Sequence, residues 1–98
     1  MNFLVTIKFK DIWLTLSDDQ RGEITGKTVA FHEKYLKEGK LKDTYTFVGG
    51  KIMVIWNVDS IVELMKILVD HPYRYYADFD NEPFIDHQDV IQILQERS

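Results

Sequence analysis

The sequence predicts an α+β fold in which elements follow one another as strand, helix, strand, strand, helix, strand. Three features predict it: an alternating apolar run over residues 3–9, serine-led helix starts at Ser17 and Ser60, and a Gly49-Gly50 pair between two strand-like runs. That order is the ferredoxin-like βαββαβ unit. With 98 residues the chain suffices for one domain with a modest core, expected over 1–98.

Residues Phe3, Val5, Ile7 and Phe9 share one face of the first strand, because side chains alternate along a strand. Asp11 to Leu16 follows as a connection rich in apolar residues. Ser17 and Gln20 form a capping-box pattern, and Asp18 and Asp19 complement the helix dipole. The helix is expected to run to about Glu38, with Gly39 as its left-handed C-cap. Ile24, Thr28, Phe31 and Tyr35 mark its buried stripe, and His32 lies beside it. Gly22 and Gly26 suggest a close approach to the sheet.

Leu41–Val48 and Lys51–Asn57 read as strands joined by a two-residue Gly49-Gly50 turn. Ile52 to Trp56 is apolar on both faces, the pattern of a strand covered on both sides. Helices can cover one side, and a chain of this length has little left for the other. A dimer formed sheet to sheet, an α+β barrel, is therefore expected. Ser60 and Glu63 start a second helix with Ile61, Leu64, Met65 and Leu68 on its apolar side, and His71-Pro72 ends it. Arg74–Asp80 is the expected fourth strand, broken by Asn81–Pro83. Residues 85–98 make a C-terminal arm or short helix, with Val90, Ile91 and Leu94 on one side.

Composition narrows the function classes. The absence of cysteine removes disulfides, thiolate nucleophiles and cysteine metal sites. His32, His71 and His87 form no His-x-His or His-x-x-x-His pair, so no metal site is expected. The net charge of −4, with lysines and arginines dispersed, argues against nucleic acid. No apolar run approaches the roughly 20 residues of a membrane span. The opening MNFLVTIKFKD is interrupted by Thr6 and Lys8 and reads as a strand rather than a secretory leader, so a cytoplasmic protein is expected.

Three stretches carry a family resemblance: Glu38-Gly39-Lys40, the hairpin around Gly49 followed by Trp56-Asn57-Val58-Asp59-Ser60 with Glu63-Leu64, and the closing set Pro72, Tyr76, Asp78, Pro83, Phe84 and His87. Over roughly residues 36–87 the chain resembles the muconolactone isomerase family. That resemblance implies ferredoxin-like chains paired into dimeric α+β barrels or larger homo-oligomers. It also implies a cofactor-independent isomerase that shifts a double bond in a lactone during aromatic-compound catabolism. The chain differs in carrying Thr28-Val29 where the family has Glu-Lys, and Tyr75 where it has a proline. Related barrels imply two further readings, a cofactor-free monooxygenase or a polyketide cyclase. A fourth reading is a non-catalytic small-molecule-binding or scaffold dimer.

Moving a double bond beside a conjugated carbonyl needs one group to remove and return a proton and a donor to hold the oxygen charge. His32 is the candidate base, or else a histidine hydrogen-bonded in the core. Tyr76 is the candidate oxyanion donor. Asp78 orients or replaces the base, or else pairs with a cation across the sheet. Alternation would set Arg74 and Asp80 on the same face, with Arg74 a candidate for a substrate carboxylate. Trp13 and Trp56 are candidates for substrate binding, with Tyr45, Phe47 and Tyr73 as further lining; in each case the alternative is plain core. Trp13, in a connection, would act as a lid. His71 reads as a cationic helix C-cap and His87 as a subunit contact.

Overall fold

The computed structural model describes residues 1–97. Its elements are β1 (Asn2–Phe9), α1 (Asp11–Leu14), α2 (Asp18–Lys37), β2 (Leu41–Thr46), β3 (Ile52–Asn57), α3 (Ile61–Leu68), β4 (Ala77–Phe84) and α4 (His87–Glu96). The strands form one antiparallel sheet in the order β2-β3-β1-β4. This is the α+β, ferredoxin-like arrangement expected, with a short helix and a C-terminal helix added.

Alternation decides which side chains meet the helices. Phe3, Val5 and Ile7 of β1 and Val54 and Trp56 of β3 are buried with Leu64, Ile67 and Leu68 of α3. Ile24, Phe31 and Tyr35 of α2 pack against that cluster, and Thr28 is buried. Each large apolar side chain removed from water contributes about 1.5–3 kcal/mol. Leu4, Thr6, Met53 and Ile55 occupy the opposite sheet face, where they remain half-buried.

The helix ends follow local chemistry. Ser17 Oγ accepts the Gln20 N–H at 3.1 Å, and Gln20 Oε1 accepts the Ser17 N–H at 2.9 Å. At the other end of α2, Gly39 N–H donates to the Leu36 carbonyl and Lys40 N–H to the Tyr35 carbonyl. With Gly39 at φ 77°, this is a complete Schellman cap. Ser60 caps α3 through the Glu63 N–H, but the Glu63 carboxylate reaches back to Asp59 N–H rather than to Ser60.

Four local expectations are corrected. The β2–β3 turn spans Phe47–Gly50: the Phe47 carbonyl accepts the Gly50 N–H, and only Gly50 has a positive φ. A two-residue type I′ turn needs positive φ at both central positions. Residues 72–76 form turns, so β4 begins at Ala77 rather than Arg74. Asn81–Pro83 does not break β4, which pairs with β1 through Phe84. Pro83 is tolerated because β4 is an edge strand. Finally, Gly22 and Gly26 face open space, not the sheet.

The helix α4 has no fully buried side chain, and Val90 and Ile91 are half-buried. Ser98, the last residue of that expected arm, lies outside the described residues. Among the described residues no helix is long and apolar enough to cross a membrane.

Candidate active site

Two places hold the chemistry-bearing side chains. The first is a groove of about 540 Å³ at the end of the sheet, where β1 runs into α1 beside the β2–β3 turn. Lys8, Lys10 and Lys51 line it against a single Asp11, so its field is positive. Its apolar wall is Phe9 and Trp13, stacked at 4.6 Å with an interplanar angle of 19°. The one-turn helix α1 presents Trp13, and Tyr73 braces it edge-on at 5.3 Å. Trp13 thus forms part of the groove wall. The volume lies within the range of small-ligand pockets.

Tyr76 and Asp78 do not line this groove, but each contacts a residue that does. Tyr76 lies 5.9 Å from Trp13, centroid to centroid, and its carbonyl accepts the Lys10 N–H at 2.8 Å. Asp78 is largely exposed and pairs with Lys10 Nζ at 3.7 Å. Arg74 does not join them. It sits in the turn before β4, donates to the Val69 carbonyl and the Tyr75 hydroxyl, and stacks on the Tyr75 ring at 4.5 Å. The shared face expected for Arg74, Tyr76 and Asp78 fails because β4 starts later than the alternation suggested.

The second place is a histidine pair between α2, α3 and the sheet. His32 Nε2 lies 2.9 Å from His71 Nε2. His71 is only 3% exposed and is ringed by Phe31, Phe79 and Tyr73 at centroid distances of 5.0, 5.0 and 5.6 Å. Burial disfavours the imidazolium and lowers the pKa of both; His71, which also feels the charge of His32, falls to about 3. The expectation of a cationic His71 cap is therefore wrong. The turns after α3 fold this ring under the helices, where the Tyr73 N–H donates to Nδ1.

Trp56, expected to bind substrate, is fully buried between His32 and Tyr35, at 6.4 and 5.5 Å. It faces the helices in a filled core and lines no open groove described here. Tyr73 is likewise core, with its hydroxyl donating to Thr25 Oγ1 at 3.0 Å. Tyr45 and Phe47 are half-exposed on and beyond β2. His87 opens α4.

His32 is thus set apart from Tyr76 and Asp78. A run of rings joins the two places: Trp13 to Tyr73 at 5.3 Å, Tyr73 to His71 at 5.6 Å, His71 to His32 at 5.0 Å. Sequence reasoning missed the lysines and Phe9. The signal was present in Lys8-Phe9-Lys10 closing a strand just before Trp13. It missed the role of His71, for which nothing local gave a sign. Among the described residues, no group of three or more His, Asp or Glu side chains is placed to hold a metal ion.

No protein-family model matches the chain, and no curated protein matches it in sequence. The relatives are structural. One solved structure that superposes is 5-chloro-2-hydroxyhydroquinone dehydrochlorinase from Burkholderia phenoliruptrix AC1100, in complex with 2,5-dihydroxybenzoquinone. It has a TM-score of 0.73 at 16% identity, covering 91% of this chain and 98% of that one. Another is a protein named as a chlorite dismutase, with a TM-score of 0.55 at 15% identity, covering 96% of this chain and 50% of that one. At these identities the likeness is one of fold. The shared fold is the ferredoxin-like α+β unit of both.

Proposed function

We propose that the chain is a cofactor-independent enzyme acting on a small cyclic or aromatic-derived anion, with proton transfer of the muconolactone isomerase type. The observation that carries this reading is the groove at Trp13, where a stacked aromatic wall and three lysines come together, with Tyr76 against Trp13 and Asp78 paired to Lys10 just outside the lining. A planar ring would lie against Phe9 and Trp13, and an acidic substituent would meet the lysines. The Asp78 carboxylate, held by Lys10, would take a proton from the carbon beside a conjugated carbonyl. The Tyr76 hydroxyl and a lysine ammonium would carry the enolate charge. Asp78 would then return the proton further along the conjugated system, so no atom is gained or lost. Asp78 and not His32 has the role of base here, because His32 lies beyond Tyr73 from the groove.

The structural neighbour's ligand offers a first probe. Titration with 2,5-dihydroxybenzoquinone is expected to quench Trp13 fluorescence, and Trp13→Ala is expected to weaken binding about tenfold, the worth of one aromatic contact. Muconolactone turnover, followed by ultraviolet absorbance between about pH 6 and 8, tests the reaction itself. A second reading, a non-catalytic binding protein, is favoured by the separation of His32 from Tyr76 and Asp78. Probe binding with no turnover of muconolactone would select it. Pairing of two chains through the sheet face of Leu4, Thr6, Met53 and Ile55 belongs to this proposal, since it gives those half-buried side chains a cover.

A further inference from the structure

Lys8, Lys10 and Lys51 all line the groove, but their commitments differ. Lys10 Nζ lies 3.7 Å from the Asp78 carboxylate, so its charge is already answered. Lys8 stands opposite Asp78 in the β1–β4 register, yet Asp78 pairs with Lys10 instead. Lys51 Nζ lies over the Phe47 ring at 5.0 Å, a contact that leaves its charge in place. Among the described residues neither Lys8 nor Lys51 makes an ion pair, and Asp11, the one carboxylate of the lining, joins neither.

The two unpaired lysines are also neighbours. Strands β1 and β3 run antiparallel, and their pairing ends at Ile7 and Ile52. One step further in that register, Lys8 comes opposite Lys51. Both then fall on the sheet face of Thr6 and Met53, since alternate residues share a face. Like charges directly opposite on neighbouring strands destabilise a sheet. Such a pair at the edge of a groove with an aromatic wall costs stability that an anion between the two ammonium groups offsets.

We propose that Lys8 and Lys51 form a two-lysine seat for a carboxylate on the substrate ring, a group separate from the carbonyl that takes part in proton transfer. This rests on the groove reading and narrows its substrate class to carboxylate-bearing rings. A carboxylate has two acceptor oxygens, one for each ammonium group. A neutral phenol of the same ring size gains only the aromatic wall, so the pair selects by charge between ligands of one shape. Lys10 is left to hold Asp78. Arg74, the residue the sequence offered for a carboxylate, is turned to Val69 and Tyr75.

The test compares 2,5-dihydroxybenzoate with hydroquinone, which share a ring and two hydroxyls and differ by one carboxylate. Binding is read by calorimetry and by the Trp13 indole N–H signal, assigned with Trp13→Phe, at about pH 7.5, where the carboxylate is ionised. The wild type is expected to bind the benzoate about tenfold more tightly, the worth of one charge-assisted contact. That advantage should shrink as salt rises from about 20 to about 200 mM. Lys8→Met and Lys51→Met are each expected to remove most of it and to leave hydroquinone affinity unchanged. Lys8→Arg should keep it, as should Lys42→Met, which lies on β2 outside the lining. Because each Met variant removes a like-charge neighbour, its thermal midpoint is expected to hold or rise; a fall in both would make the lysines structural. Equal wild-type affinity for the two ligands, or the full advantage in either Met variant, overturns the seat, and the groove reading survives if the Trp13 signal still moves. A Trp13 signal that moves with neither ligand at millimolar concentration removes both.

Discussion

His32 and His71, 39 residues apart in sequence, meet Nε2 to Nε2 at 2.9 Å inside a ring of aromatic side chains. None of the ion pairs in the described chain supplies a carboxylate to either ring. Two neutral imidazoles in the core tie folding to pH. Burial lowers both pKa values from the ordinary 6.5, His71 to about 3. The unfolded chain therefore binds more protons than the folded one below about pH 6.5. Stability is fully present above that pH and falls as pH drops toward 3. His71 alone accounts for a loss of about 2 kcal/mol by pH 5, with His32 adding in the same direction. Urea unfolding at pH 7.5 and pH 5 checks this, and an unchanged midpoint would contradict a buried neutral pair.

Asp78 and Tyr76 should separate activity from stability. Asp78 is exposed and its pairing with Lys10 is a surface ion pair, a class worth little to folding. Asp78→Asn is expected to leave thermal stability within about 0.5 kcal/mol. Under the proposed function it lowers turnover of muconolactone about 10²–10⁴-fold. Tyr76→Phe should lower kcat with little change in KM if its hydroxyl serves the charged intermediate. Full turnover in both variants would move the chemistry out of the groove.

The glycines of and around α2 should respond in opposite directions. Gly26 lies mid-helix with open space where a Cβ would stand, so Gly26→Ala should stabilise by about 1 kcal/mol. Gly39 has a φ of 77°, and Gly39→Ala should destabilise by about 1 kcal/mol because a Cβ is strained there. Chemical denaturation of the two variants side by side tests the Schellman cap directly.

Pairing through the sheet is tested by Ile55→Lys. Ile55 faces away from the helices opposite Leu4, so a charge there would be buried in a sheet-to-sheet dimer and solvated in a monomer. Light scattering should give twice the 11.6 kDa chain mass for the wild type and the single mass for the variant. A wild-type monomer at micromolar concentration would remove the pairing.

Much of the fold was legible because its signals are local. Phe3 to Phe9 alternates, Ser17 and Gln20 cap one another, and Gly39 stands where a left-handed residue is required. The start of β4 was hidden because residues 72–76 turn without a glycine, and alternation counted from Arg74 ran through the turn. Pro83 resembled a strand breaker because edge position depends on strand order, which no window of sequence contains. The site was legible in part. Trp13, Tyr76 and Asp78 do lie near one groove. The place of Trp56 depended on which face of β3 the helices cover. His71-Pro72 carried the signature of an exposed helix end, and only the tertiary path of the next five residues buries the ring.

Pro83 has a consequence for how copies of this chain can meet. The free edge of β4 lacks an N–H at that position, and Asp78, Asp80 and Glu82 add negative charge along the same strand. An incoming strand would find a gap in the hydrogen-bond row and like-charged side chains if it came from a second β4. Continuous sheet growth, the first step toward fibrils, is disfavoured from this side, which leaves broad-face packing as the orderly route to assembly.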